Sequence, residues 1–233
     1  MSSVDKVTSP RVITIDGPAG SGKSTVSNIL SQKMGWKYVS TGALYRTMGY
    51  LLYKANKSVE DKEAVNSCAK ELEKNFKLDL ETGDVFLNGV NITKEIRSPE
   101  ASERTSQTSK DAYLRELLLP IQRDMILSFG GAVVDGRDMG TVVFPNAPLK
   151  VYLVASAEKR AERRHRELSA QGIRVNVDEI IKEIHERDQR DSNRTVAPMK
   201  PATDAIMIDS SDKSPEEVAE LIKKEAAIRS LIN

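Results

Sequence analysis

Residues 17–25 read Gly17-Pro18-Ala19-Gly20-Ser21-Gly22-Lys23-Ser24-Thr25 and contain the pattern G-x-x-x-x-G-K-[ST] in full. This stretch follows an apolar, β-branched run over Val12–Ile15 and precedes a helix-like stretch over Thr25–Met34. A strand, a glycine-rich loop and a helix in this order are typical of a phosphate-binding loop, whereas a glycine-rich turn without that context need not bind anything. The stretch therefore predicts that the chain binds a nucleoside triphosphate.

Each residue type of this loop is expected to make a different contact with a bound triphosphate. Glycines let the backbone curl so that successive N–H groups point at phosphate oxygens, and the N-terminus of the following helix adds its partial positive charge. We expect the Lys23 ammonium to reach the β- and γ-phosphates and the Ser24 hydroxyl to coordinate Mg²⁺. The whole loop, from Gly17 to Thr25, is the predicted site for the triphosphate.

The composition is that of an ordinary globular chain. Of the 233 residues 39% are hydrophobic and 30% are charged, and the net charge of +1 gives no basic field that would attract nucleic acid or an anionic membrane. No apolar stretch approaches the roughly 20 residues of a membrane span, and residues 1–10 are too polar for a signal peptide and are predicted to be disordered. The single cysteine, Cys68, excludes an internal disulfide, which fits a reducing cytoplasm. We therefore expect a cytoplasmic protein, and from its charge and hydropathy we expect no nucleic-acid or membrane partners.

Five short runs have the pattern of buried strands, and helical stretches separate most of them. This alternation predicts an α/β fold of three layers, with helices on both faces of a parallel sheet. The predicted strands are Val12–Ile15, Lys37–Ser40, Ala132–Asp135, Lys150–Val154 and Ala205–Ile208. Beyond the last strand, Ser214 as N-cap and Glu217 at N3 predict a capping box at the start of the final helix. We expect this core to occupy residues 11–233.

The segment between the second and third predicted strands is too long for a simple crossover. Two strand-like runs, 76–80 and 85–87, flank a turn that contains Gly83, and they predict a β-hairpin. The helix patterns around it are Glu60–Lys74, Pro99–Thr108 and Ala112–Ser128. We therefore predict an inserted subdomain over residues 60–105, beside the substrate site.

Charged residues after the second and third predicted strands indicate a second phosphate site, because the carboxyl ends of parallel strands face the ligand crevice of an open α/β sheet. Arg46 would grip a phosphoryl group through its planar guanidinium, although a surface arginine on a helix has the same pattern. Asp135 stands where an acidic residue supports Mg²⁺. Next to it, Arg137 can bind phosphate and Asp138 can accept a hydrogen bond from a substrate amino group. A charged Asp-Gly turn is the alternative interpretation.

The stretch after the fourth predicted strand is rich in arginine. Arg160, Arg163 and Arg164 share one helix face by their i, i+3, i+4 spacing, Gly172 interrupts the pattern, and a second helix carries further arginines. A hairpin over residues 157–195 with arginines on both arms suits a lid that closes over phosphates and neutralises transition-state charge. A solvated charged hairpin fits the run equally well, because acidic residues are interleaved, but the other phosphate-binding features favour the lid.

Together these features favour a small kinase with two phosphate sites. The chain lacks the Asn-Lys-x-Asp run with which GTPases read the base, and it lacks an ABC-type signature. A nucleotide-dependent switch that binds ATP or GTP without transferring phosphate is an alternative from another class, although a second set of arginines exceeds what a switch needs. Nucleic-acid binding has only the arginine run in its favour, and the interleaved acidic residues oppose it.

Five runs carry a resemblance to a known family. They are Ile13-Thr14-Ile15-Asp16 with the loop up to Thr25, Thr41-Gly42-Ala43-Leu44-Tyr45-Arg46, Glu95-Ile96-Arg97, Asp135-Gly136-Arg137-Asp138-Met139-Gly140-Thr141-Val142-Val143-Phe144-Pro145, and Glu186-Arg187-Asp188-Gln189-Arg190-Asp191-Ser192-Asn193-Arg194. From about Val12 to its C-terminus the chain closely resembles bacterial cytidylate kinases. The first run is generic to P-loop kinases, whereas the last two are far more specific. The inserted hairpin also matches the monophosphate-binding lobe of that family.

The resemblance implies the reaction ATP + (d)CMP → ADP + (d)CDP with Mg²⁺, carried out by a monomer. By motif position, it implies a clamp on the monophosphate made of Arg46, Arg137 and Arg194. It implies that Arg187 and Asp191 contact the sugar hydroxyls. Arg163 and Arg164 would act in the lid near the ATP phosphates, and with Lys23 and Arg137 they are the expected catalytic residues.

The resemblance also implies that Ser106, Arg115 and Asp138 read cytosine, the first two by their spacing from Arg97. Cytosine offers an amino donor and a ring-nitrogen acceptor, which match an aspartate and an arginine, whereas uracil reverses both. We therefore expect CMP to be preferred over UMP, and a kinase specific for UMP or AMP is the alternative within enzymes. Ser40 occupies a position where the family usually has Asp, and the resemblance implies no function for it.

Overall fold

The computed structural model describes residues 11–170 and 172–232, so the predicted disorder of residues 1–10 lies outside the described residues. The strands are β1 (Val12–Asp16), β2 (Lys37–Ser40), β3 (Phe76–Leu78), β4 (Val85–Leu87), β5 (Val90–Asn91), β6 (Ala132–Gly136), β7 (Leu149–Val154) and β8 (Ile206–Asp209). The helices are α1 (Lys23–Met34), α2 (Gly42–Lys54), α3 (Lys62–Asn75), α4 (Thr93–Arg97), α5 (Pro99–Thr108), α6 (Ala112–Leu127), α7 (Ala157–Ala170), α8 (Val177–Ser192) and α9 (Pro215–Ile228). A π-helical turn, Met139–Val143, follows β6. Within the described residues, every helix is too short or too polar to span a bilayer.

A five-stranded parallel sheet forms the centre of the molecule, in the order β2-β6-β1-β7-β8. Every strand predicted for this sheet is present, with its ends shifted by at most one residue. The central strand β1 is buried along its whole length, as expected of a parallel strand with both faces covered. The predicted α/β fold with a five-stranded parallel sheet is confirmed.

The strand register brings two charged segments to the same edge of the sheet. Asp16, the last residue of β1, lies opposite Gly136 of β6, and Ser40 of β2 lies opposite Asp135. The glycine-rich loop that follows β1 and the charged turn that follows β6 therefore begin side by side. This edge is the one at which open α/β sheets bind their ligands.

Apolar helix faces cover both sides of this sheet. On one side, Val26 and Leu30 of α1 pack with Val218 and Ile222 of α9 against β1 and β7. On the other side, Ile126 of α6 packs with the residues of the π-helical turn and its flanks. Helix α9 begins with the predicted capping box, in which Ser214 Oγ accepts from Glu217 N and the Glu217 carboxylate accepts from Ser214 N.

The inserted segment forms a second, smaller sheet with its own apolar contacts. Strands β3, β4 and β5 pair antiparallel in that order, so the predicted hairpin is present and gains a third, two-residue strand. Val65, Leu72 and Val85 of this segment pack against buried residues of α2 and α6, such as Leu44 and Leu118. The lobe therefore rests on the helix α2 that begins at the ligand edge of the main sheet.

Helices α7 and α8 form the arginine-rich hairpin. They pack on each other through a small apolar cluster of Ala161, Leu168, Ile180 and Ile184. This cluster is separate from the apolar cores of the sheet and of the lobe. The apolar contacts between α7 and α8 therefore do not depend on either core. The hairpin therefore has a small apolar core of its own.

Candidate active site

The glycine-rich loop has the backbone shape that an anion cradle requires. Gly20 and Gly22 have φ of +76° and +89°, values that residues with a side chain rarely adopt. At Gly17, a Cβ atom would lie 2.1 Å from the carbonyl oxygen of Leu153, so only glycine fits. The loop opens into α1, whose first residue is Lys23, and its N–H groups and the helix N-terminus suit a phosphate.

Lys23 is buried beneath the loop, where its Nζ donates to the carbonyl oxygen of Pro18 at 2.6 Å. Burial lowers the pKa of Lys23 well below its ordinary value, and the charges of Arg137 and Arg187 act in the same direction. The charge of Asp135 opposes this shift. The ammonium is therefore held among other cations in a site that favours an incoming anion.

Asp135 and Ser24 are the two residues predicted to hold Mg²⁺. Asp135 is buried, its Oδ1 has no hydrogen-bond partner, and burial raises the pKa of its carboxyl group against the opposing effects of Lys23 and the Ser40 hydroxyl. Ser24 is exposed in the first turn of α1. Among the described residues no group of three or more His, Cys, Asp or Glu side chains could hold a metal alone. This donor set fits Mg²⁺, which keeps several waters and binds through few carboxylates together with phosphate oxygens.

Guanidinium groups from three parts of the chain lie close to one another. Arg46 of α2 is half-buried, and its pKa is lowered by burial and by the charges of Arg97, Arg137 and Arg164. Burial lowers the pKa of Arg187 to about 10, with a further contribution from Arg137. These groups repel one another in the absence of an anion, so the cluster can bind a phosphate strongly.

Arg115 and Asp138, two of the predicted base-reading residues, form a buried ion pair. Arg115 of α6 also donates from Nη1 to the carbonyl oxygen of Ser109 at 3.1 Å, and its guanidinium lies 5.1 Å from the centre of the Tyr45 ring. Ser106 is buried nearby in sequence, on α5, and its hydroxyl has no partner. A buried hydroxyl without a partner can serve a polar ligand.

Asp191 of α8 joins two of the predicted phosphate-clamp residues. Its Oδ2 accepts from Arg137 Nε at 2.9 Å and its Oδ1 pairs with Arg194. Burial raises the pKa of Asp191, but the charges of Arg137, Arg194 and Arg187 outweigh it and leave that pKa below its ordinary value. Arg194 Nη2 also donates to Ser109 Oγ at 3.0 Å. The end of α8 is thereby tied to the turn after β6 and to the C-cap of α5.

The two predicted lid arginines lie in different surroundings. Arg163 donates from Nη1 to the carbonyl oxygen of Gly20 at 3.4 Å and to Ser210 Oγ at 3.2 Å, so it contacts the loop itself. Arg164 pairs with Glu167 on the same helix at 3.2 Å. Its charge nevertheless contributes to lowering the pKa of Arg46.

Asp16 is a site residue that the sequence reasoning missed. Its buried carboxylate accepts from Met139 N at 2.9 Å and from Gly140 N at 2.8 Å, which fixes the π-helical turn directly after Asp138. Its place at the carboxyl end of β1 is the same signal that drew attention to Asp135, and it had been available in the sequence. The loop is also contacted by Arg160, which belongs to the arginine pattern of the predicted lid, and by Ser210, which no local pattern distinguishes.

A comparison with protein families decides where the chain belongs. The family model described as cytidylate kinase matches residues 13–227, which covers the sheet, the lobe and the hairpin. The chain belongs to the cytidylate kinase family. The match includes every residue that was predicted from the sequence to belong to the site.

Relatives in this family align over nearly the whole chain. A cytidylate kinase from Shewanella sp. (strain W3-18-1) is 44% identical over 91% of this chain and 93% of its own. Cytidylate kinases from Azotobacter vinelandii and Thermosipho melanesiensis are 43% and 46% identical over 95% and 92% of this chain, and over 97% and 96% of their own. This member of the cytidylate kinase family therefore aligns with nearly the full length of these relatives.

Proposed function

We propose that this chain transfers the γ-phosphate of ATP to CMP or dCMP and releases ADP with CDP or dCDP, in pyrimidine nucleotide metabolism. The observation that carries the proposal is the meeting of a phosphate-binding loop with a second set of cations at one edge of the sheet, in a member of the cytidylate kinase family. A switch needs the loop alone. Two anion sites side by side serve a donor and an acceptor.

The proposed donor site is the loop from Gly17 to Thr25. Its N–H groups and Lys23 would bind the phosphates of ATP, with Ser24 and Asp135 holding Mg²⁺, directly or through its waters. When bound, Mg²⁺ supplies charge neutralisation for the phosphate oxygens. In this proposal Lys23 leaves the carbonyl of Pro18 for the phosphates, because an anion is a stronger acceptor than a neutral carbonyl.

The proposed acceptor site uses Arg46, Arg137 and Arg194 as the clamp on the monophosphate, and Arg187 with Asp191 at the sugar. The arginines neutralise charge that spreads over the transferring group, and no covalent intermediate or strong general base is needed. Since Arg137 lies in contact with Asp191 and also perturbs Lys23, it is the cation best placed to serve both substrates. Arg163 and Arg164 would add charge from the hairpin.

The cytosine ring would be read by Ser106, Arg115 and Asp138. In this arrangement Asp138 accepts from the exocyclic amino group and Arg115 donates to the ring nitrogen and carbonyl. Uracil would leave these buried groups facing groups of the same kind, and mismatches between buried polar groups lower kcat/KM by orders of magnitude. The Arg115–Asp138 ion pair supports this assignment, because it orders both groups before the substrate arrives.

We further propose that residues 60–105 act as a monophosphate-binding lobe and residues 157–195 as a lid on the core of residues 11–233. Both parts would close together, since an open site lets water accept the phosphate. A monomeric state and a cytoplasmic location are predictions that rest on the sequence. Ser40 stays without an assigned function, although its hydroxyl contributes to the pKa of Asp135.

The first test is ADP production from ATP and Mg²⁺ with CMP, dCMP, UMP, AMP and GMP in turn. Turnover concentrated on CMP and dCMP is the expected result. Turnover on UMP or AMP instead would contradict the assignment of the base-reading residues but keep a monophosphate kinase. ATP binding without turnover on any acceptor would contradict the proposed function and favour the switch.

A further inference from the structure

The carbonyl groups of the glycine-rich loop are held from outside by a set of side chains. Four consecutive carbonyl oxygens, from Pro18 to Ser21, each accept a hydrogen bond from a side chain. The donors, in that order, are Lys23 at 2.6 Å, Arg160 at 3.2 Å, Arg163 at 3.4 Å and Ser210 at 2.9 Å. Three of these donors come from outside the loop and its helix, and they are remote from it in sequence.

Holding these carbonyls fixes the direction of the loop N–H groups. In a planar trans peptide unit, the C=O of one residue and the N–H of the next point in opposite directions. Carbonyls that face Arg160, Arg163 and Ser210 therefore turn the N–H groups of residues 20–22 toward the opposite side, where the phosphates bind. Donors that are oriented before the substrate arrives cost no reorganisation during the reaction.

Arg160 differs from the other donors because it contacts two further parts of the molecule. Its Nε donates to the carbonyl oxygen of Ala155 at 3.0 Å, and its Nη1 pairs with Asp188 Oδ2 on α8 at 2.6 Å. The guanidinium is buried, and a Cβ atom on Gly20 would lie 3.1 Å from Arg160 Cβ, so its helical turn packs directly on the loop. One side chain thus joins the loop, the end of β7 and α8.

Asp188 lies on the same helix as the residues assigned to the acceptor nucleotide. It directly follows Arg187 and stands one helical turn before Asp191, which holds Arg137 and Arg194. A displacement of α8 by the acceptor would therefore reach the loop through the Asp188–Arg160 pair. The pair is largely shielded from solvent, so salt screens it less than a surface pair.

We propose that Arg160 is a positioning residue that shapes the phosphate-binding loop and couples it to α8, so that the donor and acceptor nucleotides assist each other's binding. The inference rests on the proposed function for the identity of the acceptor, and on the loop alone for the effect on ATP. Arg160 touches no phosphate in this proposal and acts through the carbonyl of Ala19 and through Asp188.

The experiment measures the affinity for a non-hydrolysable ATP analogue with and without CMP, together with kcat, the KM values and thermal unfolding. We expect Arg160→Met to weaken analogue binding about tenfold, the equivalent of one lost charge-assisted hydrogen bond, and to lower kcat by about 10- to 100-fold. The factor by which CMP changes the analogue affinity should fall toward one. For Arg160→Lys, the analogue affinity, kcat and the effect of CMP should lie between those of the wild type and of Arg160→Met. An ammonium group keeps the charge but lacks the planar guanidinium that reaches three acceptors.

Asp188→Asn separates the two parts of the inference. It should keep the analogue affinity measured alone and lose much of the effect of CMP. Arg166→Met is the matched control, an arginine on the same helix whose side chain is 75% exposed, and it should match the wild type in every measurement. If Arg160→Met and Arg160→Lys lower only the melting temperature and keep the analogue affinity and its dependence on CMP, Arg160 is merely structural and the inference is wrong.

Retention of the full effect of CMP in Asp188→Asn would likewise contradict the coupling to α8. The inference and the proposed function fail in different ways. Wild-type protein that binds the analogue but phosphorylates no monophosphate contradicts the function, whereas active wild-type protein with unaltered Arg160 variants contradicts only the inference.

Discussion

The buried Arg115–Asp138 pair determines how the acceptor base should be tested. Asp138→Ala removes the proposed acceptor for the cytosine amino group, so we expect the ratio of kcat/KM for CMP over UMP to fall by about 100-fold. The variant also leaves Arg115 buried without its partner, which destabilises a fold by about 3–5 kcal/mol. The ratio for two substrates is nevertheless independent of the folded fraction, so it reports on the base alone.

Asp212→Ala is a suitable control for this measurement. The Asp212 side chain is 85% exposed and lies 3.8 Å from Lys159, so its removal should change neither the ratio nor the stability. An Asp138→Ala enzyme that discriminates between CMP and UMP as well as the wild type would show that other residues read the base.

Lys23 and Arg137 carry the charges expected at the transferring phosphate. Lys23→Ala and Arg137→Ala should each lower kcat by at least about 100-fold, the typical effect of removing one oriented donor, with smaller changes in KM. Lys33→Ala is the control on the same helix, because Lys33 pairs with Glu220 at the surface. A variant whose defect lay only in KM would show that its cation binds the ground state and the transition state equally.

Asp16 gives the unliganded protein a characteristic dependence on pH. Burial raises its pKa from 3.8 to about 7, against the opposing hydrogen bonds from Gly140 and Met139. Between these pH values the folded protein binds a proton that the unfolded chain has lost. The free energy of unfolding should therefore decrease as pH rises from about 4 to about 7, by up to about 4 kcal/mol, and level off above that range.

The measurement is denaturant unfolding across this pH range for the wild type and Asp16→Asn, without nucleotide. Asn cannot ionise and keeps one oxygen acceptor for the two N–H groups, so the variant should show a flatter dependence on pH. Identical slopes for the two proteins would exclude Asp16 as the group responsible.

At the scale of elements, the capping box of α9 offers a local test. Ser214→Ala removes the acceptor for Glu217 N and should lower the free energy of unfolding by about 1 kcal/mol. Ser214→Asp restores a good N-cap acceptor and should recover most of this loss. The exposed Ser214 side chain bonds within its own capping box, so kcat and KM should stay unchanged in both variants. An activity loss in Ser214→Asp would contradict this view.

The elements that the sequence predicted are those specified by local patterns. The β-branched runs of the sheet, the capping box and the Gly83 turn identify themselves within a few residues. The two-residue strand β5 and the five-residue helix α4 are too short to produce a periodic pattern, and they were not predicted. Their position depends on the hairpin beside them.

The π-helical turn was missed for a different reason. Asp16 caps its first N–H groups, and Arg123 of α6 donates to the carbonyl oxygens of Val142 and Val143 at 2.9 and 2.8 Å. These partners are distant in sequence, so no window of local sequence contains the cause of the turn. The ion pairs among the predicted site residues were not predicted for the same reason.

At the scale of the whole molecule, the site depends on charges contributed by separate parts. Arg46 comes from the helix beneath the lobe, Arg137 from the turn after β6, and Arg187 from the hairpin. Burial is the main cause of the lowered pKa of Arg46 and of Arg187, and the mutual repulsion of the guanidinium groups lowers both further. In the proposed function, this repulsion opposes closure of an empty site. A bound phosphate would reverse the balance, so the substrate itself would supply the attraction that brings the parts together.

Arg187→Met tests this balance in a single variant. Its Nε is buried without a hydrogen-bond partner, so the substitution removes an unsatisfied donor together with a repelling charge. The unliganded protein should gain stability, and each kcal/mol gained raises the melting temperature of a chain of this size by about 2–4 °C. The rise in melting temperature that CMP produces in the wild type should be smaller in this variant, and it should depend less on ionic strength.

Arg166→Met is the control, a substitution of an exposed arginine on the same hairpin, and it should alter neither the melting temperature nor the effect of CMP. If Arg187→Met instead lowered the melting temperature of the unliganded protein and kept the full effect of CMP, Arg187 would be a structural residue, and the attraction between the parts would have to come from elsewhere.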